Sequence, residues 1–174
     1  MNKSDLLFYD AYEEFYKMAA GSPAFQAFCK DAFGEVDYEE NSFDVITSMD
    51  TMYFAKDMSA FVAQVKKWLK KEGVFFVGYQ EGDVMPRTES AETTVLAQAL
   101  QQNGLPYEVT DITRQTYELL QKKREAALAH EKEFLEEQQK DWFDLLLFQT
   151  DCATENYEEF AGQMARYLFV ARKE

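Results

Sequence analysis

The sequence predicts an α/β domain built on a mostly parallel sheet, and three neighbouring segments carry that prediction. Residues 43–47 are a short apolar, β-branched run, which is typical of a strand buried on both faces of a parallel sheet. Residues 57–73 have the pattern of an amphipathic helix, and residues 74–77 form a second buried apolar run. Two such strands joined by a helix make a right-handed βαβ unit.

The helix between the two strands carries signals at both of its ends. Asp57 is a favourable N-cap residue, and apolar residues recur at i, i+4, i+7 and i+8 from Phe61. Four lysines crowd the last turns, where positive charge suits the helix dipole. Gly73 follows at the position where a glycine commonly ends a helix. The spacing therefore predicts a helix that covers one face of the sheet.

Helices and strands alternate along the rest of the chain. Residues 5–20 and 22–33 predict two N-terminal helices, of which the first is rich in tyrosine. The predicted elements after the second strand are a helix at 90–103 with Ser90 as its N-cap, a strand at 107–112, helical segments within 114–150 broken near His130, a helix at 154–163 and a strand at 166–172.

Composition and charge limit the possible partners. The chain has 174 residues, which suits a single domain (1–174), and its formal net charge is −14. Such a surface repels phosphate backbones and anionic lipid, so we expect no nucleic-acid or membrane partner. The first residues lack the apolar core of a signal peptide, and Cys29 and Cys152 have no metal or redox spacing. These features predict a cytoplasmic protein with reduced thiols.

The sequence contains no pattern of nucleophilic or metal-dependent catalysis. Its single histidine, His130, lies in a run of Glu and Lys on a predicted helix, where we expect it to be exposed. One histidine so placed supports neither a Ser-His-Asp nor a Cys-His arrangement. It also leaves no second histidine for a metal pair, so we predict no metal site.

The segment FDVITSMDTMYFAKD, followed by WLKKEGVFFVGY, resembles the fourth and fifth strands of the class I S-adenosylmethionine-dependent methyltransferases that act on small molecules. The resemblance extends over residues 5–34 and 41–172. It implies a partial Rossmann-like fold with strand order 4-5-7-6 and an antiparallel final strand. The implied parts are lid helices at 1–34, a βαβαβ core at 41–112, a helical cap at 113–165 and a final strand at 166–172.

The resemblance also implies S-adenosylmethionine as the cofactor and a small molecule as the methyl acceptor. No catalytic residue is implied, since methyl transfer needs chiefly alignment of the reactants. The implied cofactor contacts are Ser48, Met49, Asp50 and Tyr53 after the fourth strand, with Tyr9 and Tyr16 of the lid; the implied substrate contacts are Tyr12, Tyr79, Glu81 and Trp142. The residues alone leave simpler roles open: Asp50 as a turn cap, Tyr79 and Glu81 as loop residues, and the other aromatic residues as helix packing.

The chain departs from the family where the cofactor is held. The family has three further βα units before its fourth strand, and at about 30 residues per unit some 75–100 residues are missing here. The first unit carries an Asp/Glu-x-Gly-x-Gly loop that lets the cofactor approach the backbone. None of the seven glycines of this chain forms a G-x-G pattern. We therefore expect weak or absent cofactor binding. The alternatives are a non-catalytic, self-associating remnant and an acidic helical binding module using residues 114–150.

The missing units also affect the predicted sheet. Without a first strand beside it, strand 43–49 becomes an edge with unpaired backbone groups, and such an edge templates pairing with another chain. We expect a homodimer, or an exchange of elements between two chains, through strand 43–49 or through the N-terminal helices.

Overall fold

A four-stranded sheet organises the part of the protein that the computed structural model describes, residues 37–82 and 85–174. The two predicted N-terminal helices lie outside these residues. The elements are β1 (Phe43–Met49), a 3₁₀ turn (Met52–Phe54), α1 (Met58–Trp68), β2 (Leu69–Glu81), a 3₁₀ turn (Ala91–Thr93), α2 (Val95–Gln102), β3 (Tyr107–Asp111), α3 (Thr113–Ala129), α4 (Glu131–Glu136), α5 (Lys140–Thr150), a 3₁₀ turn (Asp151–Ala153), α6 (Tyr157–Gln163) and β4 (Ala165–Arg172).

The strand order within the described sheet is β1-β2-β4-β3. β1 and β2 run parallel, whereas β4 runs antiparallel to both of its neighbours, β2 and β3. The predicted α/β class, the order 4-5-7-6 and the antiparallel final strand are thereby confirmed. In this register Ser48 lies opposite Val77, and Gln80 lies opposite Arg166.

The helix before β2 is shorter than predicted, because α1 ends at Trp68 and the chain is already extended at Leu69. Phe43 of β1 pairs with Leu69, whereas Val45, two residues later, pairs with Val74. The residues of β2 between Leu69 and Val74 therefore bulge out of the sheet. Glu72 takes a positive φ of 62° within this bulge, and its amide donates to the Lys173 carbonyl at 2.7 Å. Lys66 and Lys67 lie in the last turn of α1 as predicted, whereas Lys70, Lys71 and Gly73 lie in β2 and not at the end of the helix.

The caps of the two helices that cover the sheet differ in how well the sequence predicts them. Asp57 caps α1 as predicted, with its carboxylate accepting from the Ala60 amide at 2.9 Å. The cap of α2 is Thr94, whose hydroxyl accepts from the Ala97 amide at 3.1 Å. The prediction of Ser90 was wrong, because a 3₁₀ turn precedes α2 and Ser90 begins that turn.

The core lies between α1, α2 and one face of the sheet. Alternate residues of β2 and β4 are fully buried on this face, among them Phe75, Val77 and Phe169. The opposite face is only partly covered, and Val45 of β1 is 57% exposed. Helices α3 to α6 pack on one another, and α3 also packs on β4. Among the described residues, no helix is both long and apolar enough to cross a bilayer.

Candidate functional site

The carboxyl ends of β1 and β2 lie side by side, which is where open α/β sheets bind ligands. Asp50, directly after β1, donates its amide to the Gly78 carbonyl at 3.1 Å and adopts a left-handed φ of 52°. Met49 lies opposite Gly78, and a Cβ at Gly78 would come within 2.8 Å of the Met49 Cε atom. The chain therefore turns sharply at Asp50 and carries its carboxylate over the end of β2.

Four residues form what we call the Asp50 cluster: Asp50, Tyr53, Gln80 and Arg166. Arg166 donates from Nη2 to the Asp50 Oδ2 atom in a close ion pair. The Tyr53 hydroxyl donates to Asp50 Oδ1 at 3.2 Å and accepts from the Gln80 amide. Next to the cluster, the hydroxyls of Ser48 and Thr51 lie 2.9 Å apart. Both carboxylate oxygens of Asp50 thus already have a partner within the chain.

The surroundings of Tyr53 keep its hydroxyl protonated. Burial raises its pKa well above the usual value, and the nearby negative charge of Asp50 raises it further, while the Gln80 amide acts in the opposite direction. A neutral phenol can donate to a carboxylate, whereas a phenolate cannot. Tyr53 therefore acts as a hydrogen-bond donor to Asp50 at neutral pH.

Three residues form a second group, the Glu81 cluster: Glu81, Arg87 and Thr88. Glu81 ends β2 and is only 1% exposed. Its Oε2 atom accepts from the Thr88 amide at 2.9 Å, lies 2.9 Å from the Thr88 hydroxyl, and is 3.6 Å from Arg87 Nη1. Arg87 Nη1 also reaches the hydroxyl of Tyr167 at 3.4 Å. This carboxylate fixes the loop after β2 and faces the protein interior.

The structure brings only some of the predicted site residues together. Ser48, Met49, Asp50 and Tyr53 surround the end of β1. Tyr79 is fully buried with its ring centroid 5.4 Å from that of Tyr53.

Among the predicted residues that remain, the structure describes Trp142 but not the three lid tyrosines. Trp142 is on α5 and is 60% exposed, and within the described part of the chain it contributes no hydrogen bond to either cluster. Tyr9, Tyr12 and Tyr16 lie outside the described residues. The assignment of all these residues to cofactor or substrate stays a prediction.

Two members of the Asp50 cluster, Gln80 and Arg166, were missed by the sequence prediction. The signal was present in the predicted strand order, because a final strand running antiparallel beside β2 must begin where β2 ends. Arg166 therefore had to lie near the carboxyl end of β1. No comparable signal existed for Arg87 and Thr88, which lie in the loop after β2.

Two further features of the described residues bear on ligand chemistry. A groove of about 400 Å³ lies between α3, α4 and α5, and residues such as Ala126, Phe134 and Leu146 line it. None of its lining residues comes from the strand ends. No group of three or more His, Cys, Asp or Glu side chains with metal-binding geometry occurs in the described part of the chain. His130 is exposed, as predicted, and lies 3.5 Å from Glu133.

Residues 4–77 match the family model described as Methyltransferase domain. A phosphoethanolamine N-methyltransferase of Haemonchus contortus is similar in structure, with a TM-score of 0.64 and 20% identity over 80% of this chain and 35% of that protein. A cyclopropane synthase of Mycobacterium tuberculosis has a TM-score of 0.58 and 16% identity over 76% of this chain and 56% of that protein.

A third similar structure is a cyclase of the 4+2 type, with a TM-score of 0.54 and 17% identity over 79% of this chain and 52% of that protein. No curated protein sequence matches the chain. The chain thus spans between about a third and just over half of the length of these structures.

The fold is therefore Rossmann-like, of the type found in methyltransferases. The family match and this fold together confirm the resemblance to the class I S-adenosylmethionine-dependent methyltransferases. The Haemonchus contortus enzyme was crystallised with S-adenosylhomocysteine in one structure and with S-adenosylmethionine in another.

The described residues do not fit that cofactor by themselves. The Asp50 carboxylate is bound on both oxygens, and the Tyr53 hydroxyl already donates one hydrogen bond and accepts another. No G-x-G loop exists anywhere in the sequence to let a ligand approach the backbone.

Proposed function

We propose that the protein is a small-molecule methyltransferase-family protein that lacks the cofactor-holding βα units and binds S-adenosylmethionine weakly or not at all. The observation that carries this proposal is the closed state of the Asp50 cluster. Asp50, Tyr53 and Arg166 satisfy one another at the strand ends, where a ligand would need free donors and acceptors. A ligand there must first break a partly buried ion pair and then replace it.

The spacing along the chain supports the internal deletion. β1 corresponds to the fourth strand of the family and begins at Phe43. The resemblance assigns residues 5–34 to the lid helices, and too few residues remain between them and Phe43 for three βα units of about 30 residues each. The glycine loop and the acidic residue that holds the ribose both belong to those units, so the chain lacks the two main cofactor contacts.

The comparisons support a small molecule as the ligand class, since the similar Haemonchus contortus enzyme was crystallised with phosphomonomethylethanolamine. One of the similar structures is a cyclase, so this fold does not determine a single reaction. Any reaction of this protein must therefore be demonstrated with the chain itself. The alternative of a non-catalytic protein predicts no turnover with any methyl acceptor.

A thermal-shift experiment with S-adenosylhomocysteine tests the proposal. A site with a dissociation constant near 10 µM would add about 2.7 kcal/mol of stability at 1 mM ligand, which raises the melting temperature of a chain of this size by about 5–10 °C. We expect a shift below about 1 °C. Adenosine at the same concentration is the control for nonspecific stabilisation. A shift of several degrees with S-adenosylhomocysteine alone would contradict the proposal.

A further inference from the structure

The β1 strand forms one edge of the described sheet and pairs on one side only, with β2. Two bonds fix which of its backbone groups face β2. The Ser42 amide donates to the Trp68 carbonyl at 2.8 Å, and the Asp50 amide donates to the Gly78 carbonyl at 3.1 Å. Backbone groups of successive strand residues point in alternate directions. The even-numbered residues of β1 therefore face β2, and the odd-numbered residues present their N–H and C=O groups at the edge.

The side chains of β1 do not protect this edge. Val45 is 57% exposed and Met49 is 48% exposed, so neither side chain is covered within the described part of the chain. The one charge within the strand, Asp44, is paired with Lys70 at 2.8 Å. Proteins usually block an open edge with several charged side chains, with proline or with a covering segment, and β1 has a single charged side chain.

We propose that β1 pairs antiparallel with β1 of a second copy of this chain, about a two-fold axis that passes between the two Ile46 residues. In this register residue i lies opposite residue 92 − i of the partner chain. The four odd-numbered residues then exchange about eight hydrogen bonds across the interface. The sheet becomes continuous over eight strands, and the interface is isologous, which closes the assembly at a dimer.

This register agrees with the chemistry of the side chains. The two copies of Ile46 face each other directly as a non-hydrogen-bonded pair, the closest kind of cross-strand contact. Val45 lies opposite Thr47 of the other chain, so an exposed β-branched residue gains a β-branched neighbour. Asp44 lies opposite Ser48, and the two negative charges stay about 14 Å apart along the strands. A register centred on Asp44 would instead bring the two carboxylates together.

Sedimentation equilibrium at protein concentrations of about 1–100 µM tests the assembly. These concentrations bracket the dissociation constant expected for pairing of one strand, whose free energy of association is about −6 to −8 kcal/mol. The expected mass is twice that of the 20.3 kDa chain. Thr47→Pro removes an edge N–H but none that pairs with β2, so it should weaken association at least about 100-fold. Its circular dichroism should remain unchanged. Thr47→Lys is the second disrupting variant, because an edge lysine blocks pairing without altering the backbone.

A stabilising variant and its matched control sharpen this test. Thr47→Val should tighten the dimer by a few-fold, since valine packs better against Val45 of the other chain. Thr110→Val makes the same change at an exposed position on β3, the other edge strand, and should leave association unchanged. A 20.3 kDa species throughout the concentration range, or a dimer that survives both Thr47→Pro and Thr47→Lys, would overturn the proposal.

Disulfide trapping tests the register independently. In a background with Cys29→Ser and Cys152→Ser, Ile46→Cys places two thiols directly across the axis, where a bond can form. Asp44→Cys places them about 14 Å apart, which is too far for a disulfide. We expect a covalent dimer from Ile46→Cys under mild oxidation and none from Asp44→Cys. Preferential crosslinking through Asp44→Cys would overturn the proposed register.

Discussion

The acidic side chains at the ends of β1 and β2, Asp50 and Glu81, have contrasting surroundings. Glu81 is 1% exposed. It accepts hydrogen bonds from a backbone amide and a hydroxyl of the loop that follows it, and it forms an ion pair with a guanidinium of the same loop. The side chain of Asp50 is 35% exposed, and its partners are the side chains of Tyr53 and Arg166. The Glu81 carboxylate is thus fixed in part by the backbone, whereas the Asp50 carboxylate is fixed by side chains that can adopt other rotamers.

This difference indicates where a ligand can be exchanged for protein contacts. Releasing Glu81 would leave a buried charge and an unpaired amide, so its cost is too high for a reversible binding step. Releasing Asp50 costs less, because its ion pair with Arg166 is partly exposed and its other contact is one hydrogen bond from Tyr53. Any remaining ligand binding at the strand ends should therefore involve Asp50 and Arg166 and should leave the Glu81 cluster intact.

The largest expected effect comes from breaking the buried cluster. Glu81→Ala leaves Arg87 and the Thr88 amide without their shared partner, and we expect a loss of about 3–5 kcal/mol in the free energy of unfolding. Denaturant titration measures this loss. Glu108→Ala, on the exposed surface of β3, is the control and should stay within about 0.5 kcal/mol of wild type. A loss below about 1 kcal/mol for Glu81→Ala would mean that this carboxylate is not structural.

A smaller effect is expected for the Asp50 cluster. A double-mutant cycle with Asp50→Ala and Arg166→Ala should give a coupling energy of about 1 kcal/mol, since both side chains are partly exposed. The exposed pair Lys132 and Glu136, one helical turn apart at 3.4 Å, is the control and should give about 0.3 kcal/mol. Equal coupling energies in the two cycles would show that the Asp50 cluster is an ordinary surface pair.

The smallest effect concerns Tyr79, between the two clusters. Burial raises its pKa far above the usual value, and its hydroxyl has no well-formed hydrogen bond within the described part of the protein. Tyr79→Phe should therefore stabilise the protein by about 1 kcal/mol at pH 7, because an unsatisfied buried hydroxyl is lost. Tyr107→Phe is the control and should be destabilising, since that hydroxyl accepts a hydrogen bond from Gln101.

The same variant should change the response to alkaline pH. The pKa of Tyr79 is higher in the folded chain than the value of about 10 in the unfolded chain, so the unfolded chain ionises first as the pH rises. The contribution of this hydroxyl to the free energy of unfolding is therefore fully present below about pH 10 and is lost above it. Tyr79→Phe removes this contribution, and its free energy of unfolding should fall less steeply above pH 10. Parallel pH curves for the two proteins would contradict the buried position of this hydroxyl.

The predictable parts of the fold were those set by local patterns. The apolar runs at β1 and β2 and the Asp57 cap determined the βαβ unit, and the family resemblance supplied the strand order. The bulge at Glu72 was missed because it depends on contacts with Lys173, far away in sequence. Thr94 replaced Ser90 as a cap because both residues are good caps and the intervening 3₁₀ turn has no clear sequence signal.

The candidate site was predictable only in part. The position of Asp50 after a parallel strand identified it, and the strand order contained the information that places Arg166 beside it. The burial of Glu81 was not predictable, since it depends on how the loop with Arg87 and Thr88 folds back. Composition alone gives no signal for such long-range pairing.

Isothermal titration calorimetry with S-adenosylmethionine is the most direct test of the central claim, that the strand ends are closed by the chain's own side chains. The purified full chain should show a dissociation constant weaker than about 1 mM, because Asp50, Tyr53 and Arg166 are already paired and the sequence has no G-x-G loop. A dissociation constant in the low micromolar range would contradict the account. It would mean that the cofactor opens the Asp50 cluster and is held from the strand ends alone.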